Sequence, residues 1–194
     1  MTKFRKNFHL RRRMWLWGGV LPASIVVFDQ LTKLWATNKF GVPQNICAIN
    51  PYPGLEIEVS PVFDLALVCN RGVSFGMFSG SPEISRIVFS VFAAVMVVVL
   101  LVWLNREKDK LTSLALALIM AGAIGNGIDR VLYGAVTDFL NFSDIGFKWV
   151  FNVADSAISI GVAGLLLAMF LQGRAEKAAK QTADNNTTRG EEER

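Results

Sequence analysis

The sequence predicts an all-α membrane protein: a four-transmembrane-helix bundle with a small β-rich extracytoplasmic subdomain and both termini in the cytoplasm. Three observations predict it. The 194 residues are 52% hydrophobic and only 19% charged, whereas a soluble domain carries roughly a quarter charged residues. The apolar residues fall into four blocks, each close to the roughly 20 residues a helix needs to cross a bilayer. With four spans, 14 of the 20 Lys and Arg residues lie on one side, and the bias of Lys and Arg towards cytoplasmic loops makes that side the cytoplasm.

In chain order, residues 1–13 form a basic cytoplasmic arm with Lys3, Arg5, Lys6, Arg11, Arg12 and Arg13. The first block, about Met14–Trp35, is interrupted by Asp29 and Lys33. It lacks a small-x-small cleavage site, so it reads as a retained span rather than a leader. An outer loop follows at about 36–82. Asn50-Pro-Tyr-Pro-Gly54 is a turn cluster. Leu55-Glu-Ile-Glu-Val59 alternates with period two and predicts a half-exposed strand, and Val62–Val68 is a candidate second strand. Cys47 and Cys69 lie in this loop, where a disulfide is permitted; either could equally be a small buried apolar residue. The second block is about Ile84–Leu104, the third about Leu111–Ile128 and the fourth about Val150–Leu171, with an outer loop at 129–149. Residues 14–172 thus make one membrane domain. The polar tail at 173–194 is expected to be disordered.

The sequence pI near 9.3 calls for no nucleic-acid partner, because a basic arm beside an anionic leaflet accounts for it. Membrane lipids are the expected surroundings, and nothing requires more than a monomer. The single histidine, His9, sits in the arm, which removes His-based triads and His/Cys metal clusters. No metal and no organic cofactor is expected.

Alternating helix directions place the polar residues at one depth. Asp29 and Lys33 lie towards the end of span one, Asn70 precedes span two, and Asn126, Asp129 and Arg130 end span three. Asp138 lies in the outer loop, and Asn152 and Asp155 open span four. Five separate stretches converge on the outer face, where ionisable groups at a bilayer boundary mark a functional site. Asp29 and Lys33 are i, i+4 with the acid first, the favourable order for a helical ion pair. Asn126 with Asp129, and Asn152 with Asp155, are i, i+3 and share a face where helical. Arg130 stays protonated and can anchor a carboxylate, carbonyl or phosphate. Asp138 and Asp155 are the candidate catalytic pair: one carboxylate takes a water's proton while the other, protonated, gives one up. The plainer alternatives are a turn cap at Asp138 and a helix cap at Asp155. Asp155 is placed past the cap of span four because it lies several residues beyond Trp149.

These motifs, Asp29-Gln-Leu-Thr-Lys33, Asn70-x-Gly-x-x-Phe75, Gly125-Asn-x-x-Asp-Arg130, Val136-x-Asp-Phe139 and Phe151-Asn-x-Ala-Asp155, stand in this order on a four-span frame. Together they resemble the prolipoprotein signal peptidases, the type II signal peptidases that act as intramembrane aspartyl proteases. The resemblance covers about residues 15–172. It implies Asp138 and Asp155 as the catalytic dyad and Asn70, Asn126, Arg130 and Asn152 as substrate-binding residues. Asp29, Lys33, Asp129, Gly72 and Phe75 would give structural support. The implied substrates are lipid-modified prolipoproteins, cut on the amino side of a diacylglyceryl-modified cysteine at the outer face of the bacterial cytoplasmic membrane. Val73 and Ser74 stand where family members often carry two alanines. Two rival readings come from other chemistry: a proton-coupled transporter using the same aspartates, and a peptidase using Ser24 or Ser74 with Lys33.

Overall fold

The computed structural model describes residues 16–72 and 82–192. The basic arm, and Val73, Ser74 and Phe75 of the second motif, lie outside the described residues. A π-helical turn, Leu16–Val20, leads into α1, Leu21–Lys39. A single turn, α2 (Ile46–Ile49), precedes strands β1 (Leu55–Ser60) and β2 (Phe63–Asn70). Two long helices follow, α3 (Pro82–Arg106) and α4 (Lys110–Tyr133). Strands β3 (Val136–Phe142) and β4 (Phe147–Phe151) flank a short turn, and α5 spans Val153–Glu192.

Among the described residues three helices are long and apolar enough to cross a membrane: Glu83–Arg106, Lys110–Tyr133 and Val153–Ala178. Helix α1 is not among them. Its charges enter the interior instead: Asp29 and Lys33 are 1% and 2% exposed. One face of α3 points its apolar side chains outward, with Val91, Phe92, Val95 and Val98 all exposed, as lipid-facing positions require. Helix α4 is the most enclosed; its Leu116 and Met120 meet Leu100 and Leu104 of α3 in the main apolar cluster.

The seam between α4 and α5 is built on small residues, which let membrane helices approach closely. A Cβ on Gly161 would stand 2.7 Å from Ile119 Cγ1 and 2.8 Å from the Ala115 carbonyl oxygen. Backbone cannot swing aside as a side-chain tip can. Gly161→Val is therefore expected to lower stability by about 1–3 kcal/mol. Thermal unfolding in detergent reads the effect, and an unchanged midpoint would contradict this account of the seam.

The four strands form one antiparallel sheet in the order β1-β2-β3-β4. Its first hairpin lies where the alternating pattern predicts it. The second corrects the sequence expectation, because residues 129–149 are not a plain loop and Asp138 sits on strand β3. The β2–β3 register shifts between Leu65 and Val68, setting Val68 opposite Asp138 and Asn70 opposite Val136. Bulges of this kind re-aim side chains. Phe139, next to Asp138, is buried with Ala36 of α1 and Leu65 of β2, so the strand carrying Asp138 is packed onto the helices.

Helix ends also differ from expectation. Helix α4 continues to Tyr133, past Ile128, and closes on Gly134, whose φ of +76° suits glycine and whose N–H donates to the Arg130 carbonyl. Asp129 and Arg130 are therefore inside the helix. Helix α5 does not stop near 172 but reaches Glu192; the first part of this extension, 174–180, is Ala-, Lys- and Glu-rich and made of good helix formers. Cys47 and Cys69 are joined in a disulfide, which ties α2 to the end of β2.

Candidate active site

The site is assembled where α1, α4, β3 and the start of α5 meet. Lys33 is the hub of its inner half. Its ammonium reaches Asp29 Oδ2 at 2.8 Å and Asp129 Oδ2 at 3.0 Å, and donates to Asn126 Oδ1 at 3.3 Å. The two carboxylates then strap other elements to the hub. Asp29 Oδ1 accepts the backbone N–H of Ala154 at the head of α5, and Asp129 Oδ2 accepts that of Thr137 on β3. Gln30 Nε2 donates to Asp129 Oδ1 at 2.9 Å and to Asp29 Oδ2 at 3.2 Å. Gly125 is needed beside them, since a Cβ there would stand 2.8 Å from Asp29 Oδ2.

The outer half holds the two candidate catalytic aspartates. Asn152 precedes α5 and its Oδ1 accepts the N–H of Asp155, while Asp155 Oδ2 accepts the N–H of Asn152. This is a reciprocal capping box. Asp155 thus lies in the first turn, past the cap residue Asn152 as expected, and is its partner in the box; its other oxygen, Oδ1, accepts from Asn126 Nδ2 at 2.7 Å. Asn152 Nδ2 donates to Asp138 Oδ1 at 2.6 Å and to Asn126 Oδ1 at 3.1 Å. Asn70 Nδ2 donates to Asp138 Oδ2 at 3.0 Å. Asn152 therefore bonds both aspartates, and each aspartate accepts two hydrogen bonds.

The two carboxylates differ in setting. Asp138 is 1% exposed, and its burial, with the Asp155 charge nearby, pushes its pKa up to about 8. Asp155 is half-buried and lines a groove of about 340 Å³ between α3, α4 and α5. The groove has a polar head of Asn126, Arg130 and Asp155 and an apolar body that includes Phe92, Met96 and Ile158. Arg130 Nη1 donates to the Asn126 carbonyl at 3.3 Å, and its guanidinium lies 5.5 Å from the centre of the Phe89 ring. Its Nε is buried with no hydrogen-bond partner among the described residues. Gly72, at φ +79°, packs against that ring, where a Cβ would stand 2.7 Å from Phe89 Cε2.

Every candidate site residue within the described region, from Asp29 to Asp155, belongs to this one constellation or packs on it; Phe75 lies outside. Sequence reasoning misses Gln30, Thr137, Ala154 and Phe89. Gln30 lies inside the first motif, and its two-carboxylate contact needs only the expectation that Asp29 and Asp129 converge. Thr137 and Ala154 contribute backbone N–H groups, which leave no trace in residue type. Among the described residues no group of three His, Cys, Asp or Glu side chains is placed to hold a metal.

The rival nucleophile at Ser24 is not near the hub: its hydroxyl donates to the Val20 carbonyl one turn back along the helix. All three protons of Lys33 have acceptors, so it is not available as a base.

A family model described as signal peptidase (SPase) II matches residues 21–171. A lipoprotein signal peptidase of Rhodopseudomonas palustris is 43% identical over 166 residues, spanning 82% of this chain and 96% of the relative. That of Caulobacter vibrioides is 38% identical over 177 residues, spanning 91% and 98%. Two solved structures described as bacterial membrane enzymes share the fold. One has a TM-score of 0.62 at 28% identity, covering 79% of this chain and 87% of the other. The second has a TM-score of 0.59 at 30% identity, covering 77% and 89%. With its apolar helices and a match that takes in every described site residue, the chain is a membrane protease and belongs to the signal peptidase II family.

Proposed function

We propose that this protein is a membrane-embedded aspartyl endopeptidase. It removes the signal peptide from diacylglyceryl-modified prolipoproteins by cutting on the amino side of the lipidated cysteine. The observation that carries this reading is the pair Asp138 and Asp155, both hydrogen-bonded to Asn152, with Asp155 at the polar head of an apolar groove. The names of the relatives, all lipoprotein signal peptidases, support the substrate class.

The asymmetry of the pair suggests the roles. Asp155, facing the groove, acts as the ionised base and draws a proton from a water between the carboxylates. Buried Asp138, protonated at neutral pH, polarises the scissile carbonyl and then donates to the leaving amine. Asn70, Asn126 and Asn152 hold the pair, and the Arg130 guanidinium at the groove is suited to a substrate carbonyl. Asp29, Lys33, Asp129 and Gly72 hold the frame. The apolar body of the groove suits an acyl chain arriving sideways through lipid. No metal or organic cofactor enters this mechanism.

Helix α1 serves as a fourth span, its charges sheltered by α4, so both termini are cytoplasmic and the sheet faces outward. The Cys47–Cys69 disulfide favours that orientation, since such bonds persist outside the cytoplasm. The working unit is a monomer in the bacterial cytoplasmic membrane.

The test is cleavage of a purified prolipoprotein with and without its diacylglyceryl group, by wild type, Asp138→Asn, Asp155→Asn and Ser74→Ala. The expected result is lipid-dependent cleavage by wild type and Ser74→Ala only. Normal cleavage by either Asn variant would remove the aspartyl mechanism, and no cleavage by folded wild type would favour the transporter.

A further inference from the structure

We infer that Lys33 is a positioning residue for catalysis as well as a structural ion pair: its third proton locks the Asn126 side-chain amide in the one orientation that donates to Asp155. The inference rests on the aspartyl reading above and deepens it.

An ammonium is a donor with no lone pair, and it has three protons. Two go to Asp29 and Asp129, and the third has Asn126 Oδ1 at 3.3 Å. The atom of Asn126 that faces Lys33 must therefore be oxygen. Its Nδ2 is then forced towards Asp155 Oδ1, where it lies at 2.7 Å. Asn152 Nδ2 reinforces the same choice by donating to Asn126 Oδ1 at 3.1 Å.

The neighbouring amide is locked by the same logic. Asn152 Oδ1 faces the Asp155 backbone N–H, so its Nδ2 must face Asp138 and Asn126. Each aspartate thus receives a side-chain donor whose orientation is dictated by a donor-only group behind it. Remove Lys33 and one of the two constraints on Asn126 goes. A rotated amide would present oxygen to the Asp155 carboxylate, replacing attraction with repulsion.

The charged groups around this relay are few. Asp29 faces Lys33 from α1, Asp129 and Arg130 lie on α4, Asp138 on β3 and Asp155 on α5. A plain Lys33→Met change would leave Asp29 and Asp129 both charged and unpaired, which risks the fold. The informative variant is the double change Lys33→Met with Asp29→Asn. It keeps the net charge of the three-residue cluster, and the introduced amide oxygen keeps an acceptor for the Ala154 N–H. Asp29→Asn alone, with Lys33 still bonded to Asn126, is its reference.

The experiment measures kcat and KM for lipidated precursor, in both backgrounds, with Asn126 and with Asn126→Ala. Thermal midpoints are read alongside. Loss of Lys33 is expected to lower kcat about 10- to 100-fold, with KM little changed. In the Asn126→Ala background the same loss should cost little further kcat.

Full additivity of the two changes would overturn the inference, as would a loss that falls on KM rather than kcat in a variant that folds. A double variant that does not fold would make Lys33 structural only, and would overturn it too. Asp138→Asn and Asp155→Asn are run in parallel: cleavage by them removes the aspartyl reading itself. Silence from them with normal cleavage by the Lys33 variant removes only this inference.

Discussion

Asp155→Asn and Asp138→Asn are each expected to lower kcat by about 10³-fold or more, but to change the pH behaviour of the protein differently. Asp155 takes the water's proton, and an amide has no basic oxygen with which to do so; Asp138 supplies a proton, and an amide N–H is far too weak an acid. Wild-type kcat should fall about tenfold per pH unit above about 8, where Asp138 loses its proton and two carboxylates face each other with no acid between them.

Stability carries the same signature with its own sign. Burial raises the folded pKa of Asp138 from its ordinary value of 3.8 to about 8. The folded state therefore binds more protons than the unfolded chain between those limits. The contribution of this group is present in full below about pH 4 and is lost progressively as pH rises through about 8. Wild type should lose thermal stability over that range, and Asp138→Asn should lose the part of the slope that this group causes. The absolute midpoint of the variant need not rise. Asn70 and Asn152 both donate to Asp138, and an Asn amide would turn a donor towards one of them. Equal slopes for the two proteins would show that Asp138 is not the group held protonated.

The convergence of five polar stretches at one depth is legible in the sequence because membrane helices alternate in direction, so position along a span translates into height. That is why Asp29, Lys33, Asn126, Asp129 and Asp155 can be grouped without knowing a single contact. The first hairpin is legible from the apolar–acidic alternation of Leu55–Val59, although the strand proves exposed on both faces, with Ile57 and Val59 open as well as the glutamates. Strand β3 is hidden because the sheet packs Asp138 and Phe139, neighbours on one strand, both into the interior. A strand buried on both faces shows no alternation. Counting from Trp149 places Asp155 past the cap, and it lies there: β4 runs on to Phe151, Asn152 is the cap and the helix starts at Val153. What sequence cannot supply at all are backbone donors: the N–H groups of Thr137 and Ala154, which fix β3 and α5 to Asp129 and Asp29, are common to every residue type but proline.

Asn152 is the position where structure and chemistry are hardest to separate, and Asn152→Ser should separate them. Alanine there removes a helix cap, at about 1 kcal/mol, and strips a donor from buried Asp138, at about 1–3 kcal/mol more. Loss of activity in Asn152→Ala would therefore be open to a folding explanation. Serine is as good an N-cap as asparagine, so the Asp155 N–H keeps an acceptor and the box that orients Asp155 survives. Its hydroxyl is too short to replace the amide nitrogen that lies 2.6 Å from Asp138 Oδ1. Asn152→Ser should then unfold nearer to wild type than Asn152→Ala does, yet lose about 10²-fold in kcat, close to the effect of removing one preorganised donor. If the two variants instead keep activity in proportion to their stability, Asn152 is a cap and nothing more. If serine recovers stability without activity, the amide that joins the two carboxylates belongs to the chemistry.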